Sequence, residues 1–124
     1  MKKISLVLVF VLSACQNNPP PTLSPIATLA WQKTRVIKAL DVLRDTTIDA
    51  EAQVPPLVST DDARKVIQAH ESILKVMDSS DWATFAQGTL AELMKNLPTQ
   101  TQVLLSPYLA LTNTLISIGM EMMK

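Results

Sequence analysis

Proline placement divides this chain into segments of helix length. Pro25 directly follows Ser24, Pro55 adjoins Pro56, Pro98 stands alone and Pro107 follows Ser106. Proline lacks a backbone N–H and clashes with the preceding turn, so it is tolerated in the first turn of a helix and ends one elsewhere. Ser24-Pro25 therefore reads as an N-cap with a first-turn proline. Beyond it Ile26, Leu29, Ala30, Ile37, Leu40, Leu43 and Ile48 recur at three- and four-residue steps, with Lys33, Arg44, Asp45 and Asp49 between them. That spacing predicts an amphipathic helix running to about Gln53, where Pro55-Pro56 stops it.

Ser59 or Thr60 then caps a second helix, whose first turn carries Asp61 and Asp62 against the positive end of the helix dipole. Its expected core face is Val66, Ile67, Ile73, Leu74 and Met77. Asp78-Ser79-Ser80-Asp81 reads as a turn, and a third helix follows from Trp82 with Phe85, Ala86, Leu90, Leu93, Met94 and Leu97 at helical spacing. Gly88 in that helix is expected to mark a close helix approach. Pro98 restarts the chain. Ser106-Pro107 repeats the Ser24-Pro25 signal, so the last helical region is expected to be interrupted there, a short turn preceding a longer helix from Pro107 to about Met123. No segment alternates with period two. The predicted fold class is all-α: a small bundle of about four helices, in which a hairpin of the first two is closed by two more, spanning residues 24–124.

The first fifteen residues carry a different signal. Lys2 and Lys3 precede an apolar run from Ile4 to Leu12, and Ser13 and Ala14 lead into Cys15. This is the layout of a secretory signal peptide over residues 1–14, too short to span a bilayer as a permanent helix. Leu12-Ser13-Ala14-Cys15 resembles the lipobox of bacterial lipoproteins, in which a diacylglyceryl group is added to the cysteine before cleavage on its N-terminal side. The resemblance implies that Cys15 holds the mature chain on membrane lipid, and several acyl chains anchor stably where one binds only marginally. In enterobacterial lipoproteins an Asp after the lipidated cysteine favours inner-membrane retention. Gln16 stands there, which implies the periplasmic face of the outer membrane, with the inner membrane or a Gram-positive surface left open. Residues 15–23 then form a proline-rich stalk in which Pro19, Pro20 and Pro21 favour extended backbone.

Composition excludes several functions. Eleven Lys plus Arg balance eleven Asp plus Glu, without the basic stripe that a nucleic-acid binder carries. One Cys and one His cannot supply a zinc site or an internal disulfide. No metal or other cofactor is expected, and no nucleophile–base pair or carboxylate pair stands at catalytic spacing. His70 sits at the edge of the core face of the second helix and reads as a structural residue. Asp41, Asp45 and Asp49 form a stripe on the first helix that Lys38 and Arg44 partly neutralise, and it reads as a solvated face.

The expectation is a non-enzymatic binding module for another envelope protein. Its groove is expected between the third and fourth helices, lined by Leu93, Met94, Leu115, Met120 and Met123, because flexible thioethers repack around a partner helix. Secretion pilots share this small helical architecture by analogy alone. A different class is also open. Cys15 together with the apolar stretch from Val103 to Met123 resembles the layout of phage single-chain spanins, lysis lipoproteins that link the two membranes through a C-terminal segment. Ser106, Tyr108, Thr112, Asn113, Thr114 and Ser117 would each need a partner in hydrocarbon, which favours a buried helix instead.

Overall fold

The computed structural model describes residues 24–124. The expected signal peptide, the stalk, and Leu12, Ser13, Ala14 and Cys15 lie outside the described residues. Among the described residues the fold is all-α with four helices: α1 Pro25–Glu51, α2 Thr60–Lys75, α3 Trp82–Lys95 and α4 Thr99–Met122. The Ser24 side chain accepts from the Ala27 amide at 3.2 Å, and Ser59 accepts from the Asp62 amide at 3.1 Å. Both expected caps therefore satisfy amides that a helix start leaves orphaned.

Each helix runs antiparallel to its neighbours, and the four close into an up-down-up-down ring. Gln32 of α1 meets Leu115 late in α4, Asp41 meets His70 across α1 and α2, Lys65 early in α2 meets Asn96 at the end of α3, and Trp82 opening α3 meets Gly119 closing α4. The most extensive contacts join α1 to α4. Val36, Leu40, Leu43, Val66, Ile73, Trp82, Leu90, Leu105 and Ile116 fill the centre, and all are essentially buried. Burying one such side chain contributes roughly 1.5–3 kcal/mol, which is how a domain with few aromatics holds together. Ala50, Val58 and Ala63 form a second small cluster beneath Leu104 at the α1–α2 turn.

The core stripe differs from the apolar stripe read from periodicity. Ile26, Ile48, Leu74 and Phe85 are exposed and Ile67 is half-buried, while Gln32 and Thr47 lie fully buried on α1. Both polar groups are satisfied, as buried ones must be. Gln32 Nε2 donates to the Leu115 carbonyl at 2.7 Å, stitching α1 to α4, and the Thr47 hydroxyl donates to the Leu43 carbonyl at 2.7 Å.

The expected interruption at Ser106-Pro107 does not occur. Helix α4 runs unbroken from Thr99 to Met122 with Pro107 inside it. An interior proline costs about 3 kcal/mol in an isolated helix. Here its ring lies on the exposed face, while Thr101 and Leu105 before it and Leu109, Thr112, Leu115 and Ile116 after it are buried on one continuous stripe. Packing on both sides of the proline overrides the local signal. By length and composition α4 is also apolar enough to cross a membrane.

The two glycines exchange roles relative to expectation. A methyl at Gly88 would meet nothing within 4 Å, whereas one at Gly119 would lie 2.7 Å from Trp82 Cη2 and 2.8 Å from Cζ2. The close helix approach is therefore at Gly119, where an indole that is itself immobilised by burial has no room to yield. Gly88→Ala should stabilise the domain by about 0.5–1 kcal/mol, because helix propensity is gained at no steric cost. Gly119→Ala gains the same propensity and meets an overpacking cost of about 1–3 kcal/mol. Urea midpoints of the two variants should move in opposite directions; equal shifts would contradict the tight Gly119–Trp82 contact.

Candidate partner groove

A groove of about 650 Å³ opens between α2 and α3. Its α2 wall is built from Lys65, Gln68, Ala69 and Ser72, three or four residues apart and so on one helical face. The α3 wall repeats the device with Phe85, Gly88, Thr89, Glu92 and Asn96, and Leu93 closes the floor. Small side chains at Ala69, Ser72, Gly88 and Thr89 leave the space between the two walls unfilled. Gly88 leaves its part of the wall recessed, and Phe85 stands beside it with 42% of its surface in water. A recess next to an exposed aromatic ring suits an apolar side chain delivered from outside.

The polar groups at the far end are already engaged. Lys65 Nζ donates to the Asn96 carbonyl at 3.0 Å and lies 3.5 Å from Asp62 Oδ1. It thereby caps one of the carbonyls that the end of α3 leaves without an intrahelical partner. Gln102 does the same from α4, its Nε2 donating to the Met94 carbonyl at 2.6 Å and the Leu97 carbonyl at 3.0 Å. These contacts fix the end of the groove. Periodicity could not show them, because a Lys or Gln on a helix surface carries no signal of which distant carbonyl it reaches.

The five residues expected to line a groove between α3 and α4 do not come together there. Leu93 and Leu115 are buried, Leu93 as the floor of the α2–α3 groove and Leu115 in the central core. Met94 is half-buried beside Gln102, whereas Met120 and Met123 lie near the other end of α4, about 27 Å away at 1.5 Å per residue. Met94 and Met120 pack against the core, and only Met123 is exposed.

His70 is buried, and its Nε2 lies 2.7 Å from Asp41 Oδ1, so the ring pins α2 to α1. Asp41 also faces Arg44 at 3.9 Å, and Arg44 meets Asp45 at 3.0 Å, while Asp49 is exposed. The acidic stripe is thus partly paired along its own helix. Among the described residues no three of His, Cys, Asp and Glu gather closely enough to hold a metal ion. Comparison with family models, with curated proteins and with solved structures gave no match. Function must therefore be argued from the site itself.

Proposed function

We propose that the protein is a non-enzymatic, lipid-anchored module on the periplasmic face of the outer membrane that binds another envelope protein. The observation that carries this reading is the α2–α3 groove, with small side chains along its walls and the exposed Phe85 ring beside the open Gly88 position. Its shape fits an amphipathic helix laid along it, with an apolar anchor seated at Gly88. Acylated Cys15 supplies the attachment and residues 16–23 the reach.

Photocrosslinking in intact cells tests the reading. A photoreactive residue at Phe85 or Ser72 should give one discrete adduct, and the same residue at Asp49 on exposed α1 should give none. Gly88→Trp starts from a position where an added Cβ meets nothing within 4 Å, puts an indole into the recess and should abolish the adduct at Ser72. Phe85→Ala should weaken capture by about 10- to 30-fold, the cost of truncating an interface anchor. Equal labelling from Phe85 and Asp49 would mean that the groove is not the binding surface.

One observation favours a second reading, the spanin-like lysis lipoprotein: the length and apolarity of α4. In that arrangement α4 crosses the inner membrane. To do so it must leave α1 and α3, which exposes the side chains it covers and abandons the Gln32–Leu115 bond. The packed bundle and the spanning helix are alternative states of the same segment.

A further inference from the structure

The outward face of α3 is exposed from end to end and carries a charge pattern that inverts about its middle. Asp81, Thr84, Gly88, Ala91 and Lys95 recur at three- and four-residue steps, so they lie on one side of the helix, and all five are exposed. Gly88 is the midpoint, with Asp81 seven residues before it and Lys95 seven after. Phe85, 42% exposed, and Ala91 are each three residues from Gly88, and Thr84 and Glu92 are each four. Asp81 accepts from the Ser79 hydroxyl at 2.7 Å and uses only Oδ1 to do so. Glu92, Lys95 and Lys75 at the end of α2 make no ion pair among the described residues, while Arg64 and Lys65 are already paired with Asp61 and Asp62. Exposed Glu71 stands outside the groove lining, and exposed Asp78 lies in the turn before α3, outside the stripe.

A helix face of this kind fits a copy of itself. With a second copy antiparallel across α3 and a two-fold axis at Gly88, residues equally far from Gly88 on its two sides come together. Each Asp81 then meets Lys95 of the second copy, and each Phe85 ring covers Ala91 of the second copy. Each Glu92 comes level with Thr84 of the second copy, at the end of the groove where α2 finishes in exposed Lys75. A parallel pair would instead set Asp81 on Asp81 and Lys95 on Lys95, which like charges oppose. The crossing falls at the one point of the stripe without a Cβ, where an added one would meet nothing within 4 Å, so two backbones can approach closely. We infer that a second copy of this chain covers the α2–α3 groove when no partner helix occupies it, with α3 crossing α3 antiparallel at Gly88 and two Asp81–Lys95 pairs fixing the register. This rests on the reading of the groove as a helix site and gives that site its regulation, since an envelope partner must displace the second copy. A single helix crossing falls short of the roughly 800 Å² per partner of a standard interface, which keeps the pair exchangeable. Two antiparallel bundles lying along the membrane start α1 at opposite ends, and residues 15–23, at most about 30 Å when extended, allow both chains to reach one leaflet.

Disulfide trapping tests it on the mature chain purified in detergent, free of other envelope proteins. Gly88→Cys places a thiol at the two-fold axis, where two Cα atoms come within the roughly 4.4–6.8 Å that a disulfide spans. Mild oxidation should therefore give a reducible band at twice the chain mass, and Val54→Cys, 96% exposed on the α1–α2 turn, should give none. In the Gly88→Cys background, Lys95→Asp and Asp81→Lys should each cut the band about ten-fold, because two attractive pairs become repulsive. Combining the two reversals recreates both pairs and should restore the band. Absence of the band from Gly88→Cys, equal bands from Gly88→Cys and Val54→Cys, or a double reversal as weak as the single ones overturns the inference. Circular dichroism checks folding; a reversal that loses helicity is set aside, and Gly88→Cys against Val54→Cys then decides alone. The wild-type chain is the blank, since acylation consumes the Cys15 thiol, and a band there moves the whole series into Cys15→Ser. The groove reading fails separately. In cells, adducts from Phe85 and Ser72 that all have twice the chain mass keep the second copy and remove the envelope partner, whereas a heterologous adduct without the disulfide band keeps the partner and removes the second copy.

Discussion

Trp82→Ala is expected to lower stability by about 3–5 kcal/mol, a large share of the 5–15 kcal/mol that holds a domain of this size. Trp82 is the largest fully buried side chain among the described residues, and it packs on Gly119 with Lys33 Nζ 5.8 Å from the centre of its ring. Truncation removes contact with α1 and α4 together and leaves a cavity that neither backbone can collapse into. Trp82→Phe should cost much less. Phenylalanine refills most of the space and deletes an indole N–H that is buried without a hydrogen-bond partner. Urea unfolding of unacylated Cys15→Ser protein lacking residues 1–14 measures both; similar losses for Ala and Phe would mean that volume is not what Trp82 contributes.

The same residue shows where sequence reading succeeds and where it stops. Trp82 after Asp78-Ser79-Ser80-Asp81 marked a helix start because turn chemistry is local, and the caps at Ser24 and Ser59 were legible for the same reason. Signals that depend on another helix were not. Gly119 and Gly88 are both glycines in helices, and only the position of the Trp82 ring separates a close approach from an open wall. Ser106-Pro107 looks like Ser24-Pro25 residue for residue. It is overridden because apolar residues on both sides of it face one core.

The groove followed the same rule. Methionines at helical spacing suggested a surface between α3 and α4, yet spacing along one helix does not fix the height at which an antiparallel neighbour sits. Met94 and Met120 end up at opposite ends. The actual groove lies where side chains are small rather than flexible, at Ala69, Ser72 and Gly88. A small residue on a helix surface gives no periodic signal of its own, so its meaning emerges only when two such stretches face each other.

Loss of the anchor is the other large effect. Cys15→Ala, exported behind an ordinary cleavable signal peptide in place of residues 1–14, should move from the membrane fraction to the soluble periplasm, while the wild-type chain stays with outer membranes and incorporates labelled palmitate. The replacement signal matters, because in the lipoproteins that Leu12-Ser13-Ala14-Cys15 resembles, cleavage follows acylation and an uncleaved leader would itself hold the variant in the inner membrane. Each buried acyl CH₂ contributes about 0.8 kcal/mol, so two or more chains dominate every other lipid contact. Helix α4 decides the alternative. Within the bundle its buried stripe is occupied by α1 and α3, and a soluble Cys15→Ala chain with full helicity would keep it there. If that chain instead resists carbonate extraction from inner membranes, α4 has exchanged its protein neighbours for lipid, and the spanin-like reading replaces the binding module.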